Sequence, residues 1–87
     1  MKFSNLEFAS DRGGISTVAK FENGYGLSVV KFPGTYGYPQ GLYECALVEF
    51  TTKTKYKLSC FPGTENSVIG FCTEETVTEL LQKAESL

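Results

Sequence analysis

The side chains in this chain that could do covalent or acid–base chemistry are three cysteines, ten carboxylates and eight lysine or arginine cations, with no histidine. Without an imidazole there is no Ser-His or Cys-His nucleophile pair, and the usual zinc and iron ligand sets are gone. Cys45, Cys60 and Cys72 are widely spaced and contain no C-x-x-C pair to begin a metal site. An odd, unclustered set is not a disulfide framework and fits a reducing compartment, a secreted chain with one unpaired thiol being the alternative. Cys72 stands just before Thr73, a good helix N-cap, where a helix end can lower a thiol pKa. It is also the N′ position facing Val77 at N4, and this hydrophobic staple explains it without reactivity. Cys45 and Cys60 fall in strand-like runs and read as small core residues. Glu44 and Glu49 are five apart on one such run and point to opposite faces, so they form no acid/base pair. Glu74 and Glu75 fall in a helical first turn, where the dipole favours them. The reading is a non-enzyme with no metal site and no cofactor.

Binding is better represented. Pro33 to Gly41, Pro-Gly-Thr-Tyr-Gly-Tyr-Pro-Gln-Gly, holds two of the three prolines, three of the nine glycines and two tyrosines. Gly and Pro exclude regular structure, and tyrosine supplies large contact area at low entropic cost. The predicted partner-binding residues are Tyr36 and Tyr38, with Tyr25 and Tyr43 nearby; the competing reading is that the rings fold back to cap a sheet edge. Lys53, Lys55 and Lys57, interleaved with threonine and Tyr56, could touch phosphates. Lysines there also protect a strand edge from unwanted pairing. Gly24-x-Gly26 resembles part of a phosphate loop, but it lies in a hairpin rather than between a strand and a helix.

These residues need elements to position them. A first strand is predicted over about 3–9, a turn over 10–14, and a strand from Ile15 to Glu22. Asn23-Gly24 favours a type I′ hairpin, which pairs Glu22 with Tyr25, Lys20 with Leu27, Val18 with Val29 and Ile15 with Phe32. One face then holds Ile15, Thr17, Ala19, Phe21, Ser28, Val30 and Phe32 and reads as the core face; a bulge at Gly26 would shift this register by one. Leu42 to Phe50 and Tyr56 to Phe61 are the next strands, the latter ended by Pro62-Gly63. Thr73 caps a C-terminal helix whose Val77, Leu80, Leu81, Ala84 and Leu87 make one apolar stripe. The fold class is α+β: an antiparallel four- to five-stranded meander sheet with one C-terminal helix packed on one face, as a single domain over residues 1–87. One short helix cannot cover such a sheet, so the remaining face or an open edge calls for a partner or a second copy in a homodimer.

The net charge of −2 divides into +2 over residues 1–63 and −4 over 64–87. Neither part carries the concentrated basic surface that nonspecific nucleic-acid binding needs. No apolar run approaches the roughly 20 residues of a membrane span, and the first residues contain no signal-peptide core, so a cytoplasmic location is expected.

Three stretches together resemble a family of short, uncharacterised proteins encoded by tailed bacteriophages: Phe21 to Val30, Tyr36-Gly37 with Gly41 to Glu44, and Val68 to Glu75. The resemblance covers most of the chain from about Gly14 onward and carries over no catalytic or binding residue. It implies a phage product acting in the bacterial host cytoplasm as an accessory factor that binds a host protein, a defence component included. A nucleic-acid-binding module using Lys53, Lys55 and Lys57, and a small virion structural or assembly protein, are the alternatives.

Overall fold

The computed structural model describes residues Met1 to Leu87. Six strands, β1 (Ala9–Asp11), β2 (Gly14–Lys20), β3 (Tyr25–Lys31), β4 (Tyr43–Phe50), β5 (Tyr56–Ser59) and β6 (Ile69–Cys72), precede one helix, α1 (Glu74–Glu85). The first five follow one another across an antiparallel meander, as the α+β reading expects. β6 breaks the simple order by pairing with β4 as well. β4 thus shares one edge between two strands: β5 lies against Leu47 to Phe50, and β6 against Tyr43 to Cys45. The opposite edge of β4 belongs to β3.

The helix begins where its cap residue dictates. Thr73 Oγ1 accepts the Thr76 amide at 3.1 Å, and Glu74 and Glu75 occupy the first turn. Val77, Leu80, Leu81 and Ala84 are buried against the sheet, and Leu87 ends the stripe in solvent. Their partners are Ala19, Phe21, Leu27, Val29, Cys45 and Leu47. Each valine, leucine or phenylalanine side chain withdrawn from water here contributes about 1.5–3 kcal/mol. No helix is long and apolar enough to cross a membrane.

The β2–β3 hairpin differs from the predicted one by one residue. The Phe21 amide donates to Tyr25 O at 2.9 Å and the Gly24 amide to Phe21 O at 3.2 Å. Glu22-Asn23-Gly24 is therefore a three-residue loop, a type I turn closed by Gly24 at φ +87°. Asn23 stays out of the left-handed region, which a type I′ turn would require of it. Lys20 consequently faces Gly26, Ala19 faces Leu27 and Thr17 faces Val29. The slip exchanges the partners: Leu27 and Val29, not Ser28 and Val30, share the buried face with Ala19 and Phe21. The physical reason lies across the fold. Asn23 Nδ2 donates to Ala84 O in the last turn of α1 at 2.9 Å and to Leu87 O just past the helix at 3.1 Å, while its Oδ1 accepts the Tyr25 amide at 3.0 Å. Asn23 caps a helix end 61 residues away from it in sequence.

The N-terminal segment also departs from expectation. Phe3–Asn5 is a 3₁₀ turn, and the first strand starts only at Ala9. Phe3 and Leu6 are three apart, and such a turn aims both at the core, where Phe8 joins them. The turn is tied to the helix by the Phe3 amide, which donates to Thr78 Oγ1 at 3.0 Å.

Candidate functional site

Five strands bring their ends together around Tyr43. The register places Asp11 opposite Gly14, Ile15 opposite Lys31, Val30 opposite Glu44 and Tyr43 opposite Cys72. The Pro33–Gly41 segment crosses this end of the sheet. Its first corner is closed by Thr35, whose buried hydroxyl donates to Phe32 O at 2.7 Å and accepts the Phe32 amide at 3.2 Å. A 3₁₀ turn over Tyr38–Gln40 follows, flanked by Gly37 and Gly41, both in the left-handed region. The Tyr36 amide donates to Glu44 Oε1 at 2.9 Å, which moors the loop to the central strand.

The loop also locks against β6. Gly70 and Phe71 together face Glu44, so β6 carries a bulge there. The Phe71 amide donates to Tyr36 O at 3.3 Å. A side chain on Gly70 would meet Tyr36 Cβ at 2.5 Å, and one on Gly37 would meet Phe71 Cα at 3.0 Å. The two backbones can approach this closely only because each offers a glycine to the other's aromatic residue. The result is two large rings held on fixed backbone and left outside: Tyr36 is 64 % and Phe71 58 % exposed. Phe71 pays twice for its place. Its φ of +56° is the left-handed region, about 1–2 kcal/mol unfavourable for a residue with a Cβ, and its ring forgoes burial.

Arg12 is the second non-glycine residue at positive φ, at +48° in the β1–β2 turn. Its guanidinium lies 5.3 Å from the Phe32 ring centroid and 3.6 Å from Asp11 Oδ1. Both strained residues thus flank the Pro33–Gly41 loop. Strain of this kind persists where the surrounding structure imposes it, and it concentrates at functional surfaces. A shallow trough of about 380 Å³ opens beside Arg12 on the helix-free face, floored by Val18, Ser28 and Val30 and walled by Phe32 and Tyr56.

The four tyrosines named from the sequence part company here. Tyr36 is the exposed one. Tyr38 is half-buried at the start of the 3₁₀ turn. Tyr43 is a core residue, 7 % exposed, its ring edge-on to Phe3 at 5.1 Å and beneath Lys31 Nζ at 4.6 Å. It faces the helix side of β4 and is unavailable to a partner. Tyr25 is half-buried against the same core. Phe71 replaces them as the second exposed ring. A glycine inside the β-rich run Val68 to Cys72 was the signal for its bulge.

The lysines form no stripe. Extended backbone begins only at Tyr56, leaving Lys53 and Lys55 in the turn before β5. Lys57 lies 3.9 Å from Glu49, and Lys53 offers its carbonyl to Lys20 Nζ at 3.0 Å. Cys60 also departs from its core assignment: β5 ends at Ser59 and the Cys60 side chain is exposed. No group of three or more His, Cys, Asp or Glu side chains is arranged to hold a metal ion. Comparison with protein-family models, curated proteins and solved structures finds no match to this chain.

Proposed function

We propose that this chain is a non-enzymatic binding module that engages a protein partner through Tyr36 and Phe71. One observation carries the reading: an aromatic residue is held at φ +56° with its ring 58 % exposed, beside a second exposed ring on an interlocked loop. Packing alone would have selected a glycine or a small polar residue at that backbone position. Rigid, exposed aromatic rings are the side chains that most often anchor protein interfaces, because they bury large area and lose little entropy. Arg12 beside Phe32 supplies a cation at the rim of the same sheet end. The resemblance to phage proteins makes a bacterial host protein the class of partner, with modulation of that protein, a defence component included, as the activity.

The test is affinity capture from nuclease-treated bacterial lysate with the natural chain and with a Tyr36→Ala/Phe71→Gly variant, read by mass spectrometry after circular dichroism has shown both to be folded. A protein retained by the natural chain and lost by the variant, then reproduced with purified components, supports the reading. Equal capture by both removes these rings from the interface. Retention seen only in a parallel capture from untreated lysate moves the function to nucleic acid.

A further inference from the structure

The meander ends at β5, which pairs only with β4. The Thr51 amide donates to Lys55 O at 2.9 Å, and antiparallel residues exchange their backbone bonds at alternate pairs. The backbone groups of Lys57 and Ser59 therefore turn inward to Glu49 and Leu47, their partners in register. Those of Tyr56 and Leu58 turn outward, and no loop or helix of the fold bonds to them. The other boundaries of the sheet are covered or short. The Phe71 amide of β6 is met by Tyr36 O of the Pro33–Gly41 loop, and β1 is three residues long.

Exposed edges are usually guarded by charge, proline or a bulge. β5 reads Tyr-Lys-Leu-Ser, without proline, and its register with β4 is unbroken. Its cation, Lys57, lies on the helix side of the sheet, 3.9 Å from Glu49. Lys53 and Lys55 stand in the turn and do not guard the strand. Tyr56 and Leu58 point to the opposite face, 44 % and 54 % exposed, beside Phe50 and Val48. The Tyr56 ring is held edge-on to Phe50 at 5.3 Å.

We propose that the outer edge of β5 pairs with β5 of a second copy of this chain, antiparallel, about a two-fold axis at Leu58. An isologous seam must be self-complementary, and outward backbone groups must meet outward ones. Centred on Leu58, the register sets Leu58 opposite its own copy, Tyr56 opposite Cys60 and Lys57 opposite Ser59. No like charges face each other. Centred one residue earlier, Lys57 would face itself, which is destabilising. The same register runs the Lys53–Lys55 turn of each copy alongside the other copy's segment from Phe61 to Glu65, in which Glu65 is the sole charged residue. The seam thus sets cations near a carboxylate at both ends and apolar surface in the middle. There both copies of Tyr56 and Leu58 join Phe50 and Val48 in one band across the helix-free face. Tyr36 and Phe71 lie by the other half of β4, outside the seam.

Sedimentation equilibrium of the full chain in reductant, from low micromolar to near-millimolar concentration, tests the pairing. Four residues a side make a small interface, so the mass should climb with concentration from 9.6 kDa toward twice that value. Leu58→Pro removes an outward amide without touching the ladder to β4, and should hold the chain at monomer mass throughout. Leu58→Lys sets like charges opposite each other and should do the same; circular dichroism shows that each variant is folded, and the lysine variant decides if the proline one is not. Oxidised glutathione tests the register. In Leu58→Cys/Cys60→Ser the facing Cα atoms are about 5.5 Å apart, within disulfide reach, and a covalent dimer should form. The natural chain should give none, because its two Cys60 residues are offset by about 14 Å along the seam. A monomer at every concentration overturns the proposal and leaves the edge to a foreign strand. So does a dimer that both Leu58 variants retain, or one that cross-links through Cys60 and not through position 58.

Discussion

Replacing Asn23 by aspartate separates two accounts of the residue. If Asn23 serves only the hairpin turn, aspartate should substitute freely, since both side chains accept the Tyr25 amide and both suit a type I turn. The structure gives the amide a second task, donating from Nδ2 to Ala84 O and Leu87 O at the end of α1. A carboxylate cannot donate, and its charge meets the negative end of the helix dipole. Losing two part-exposed hydrogen bonds costs about 1–2 kcal/mol, and the misplaced charge adds about 0.3–1 kcal/mol. Asn23→Asp should therefore cost roughly 2 kcal/mol, and with a midpoint shift of about 4–8 °C per kcal/mol for a domain of this size, Tm should fall by about 8–16 °C. Asn23→Ala loses the same donor together with the turn acceptor and should fall by a similar amount. Added salt should narrow the deficit of the aspartate variant and leave that of alanine unchanged. Thermal and urea unfolding followed by circular dichroism measure all three chains. An aspartate variant within about 0.5 kcal/mol of the natural chain would refute the helix-capping role.

Phe71→Gly should leave stability unchanged or raise it by up to about 1 kcal/mol, because the left-handed strain disappears, while partner capture is lost; urea unfolding and affinity capture read the two effects separately. Gly70→Ala should destabilise by about 1–3 kcal/mol, since the new methyl group meets Tyr36 Cβ, which cannot move without its backbone; equilibrium unfolding checks it. Tyr43→Ala should cost about 3–5 kcal/mol as a core truncation and leave little folded protein, and Tyr36→Ala should stay within about 0.5 kcal/mol of the natural chain. Unfolding curves of that pair distinguish the packed ring from the displayed one.

The parts of the fold set by short-range patterning could be read from the residues alone. Thr73 with its two following glutamates, and the stripe through Val77, Leu80, Leu81 and Ala84, place the helix within a residue or two. The apolar run in Tyr43 to Phe50 places the central strand. What escaped was decided at a distance. Asn23-Gly24 is the strongest local signal for a two-residue turn, yet the helix end it must cap selected a three-residue loop and slipped the register by one. Ile69–Cys72 is too short, and too interrupted by Gly70, to show a period of its own; only the unused half of the β4 edge makes it a strand. For the candidate site, the irregular loop and the exposure of Tyr36 were legible, whereas Tyr43 and Tyr25 were read as surface rings. The missing information was which face of each strand meets the helix. Nothing local to Phe71 says that its ring is displayed, because its backbone conformation is imposed by Gly37 and Tyr36 across the interlock.

The divided edge of β4 has a bearing on amide exchange. The Phe50 amide donates to Gly24 O at the loop end that leads into β3, so the amides of odd-numbered β4 residues point to the other side. Those of Leu47 and Glu49 are then screened by β5, and those of Tyr43 and Cys45 by β6. Peeling β5 away would release the first pair without touching the second. Fraying β6, along with the loop moored to it, would do the reverse. A single strand in the middle of the sheet thus holds two sets of protons that exchange through separate, sub-global openings. Binding at Tyr36 and Phe71 should slow exchange in the Tyr43 half and leave the Leu47 half at its free rate.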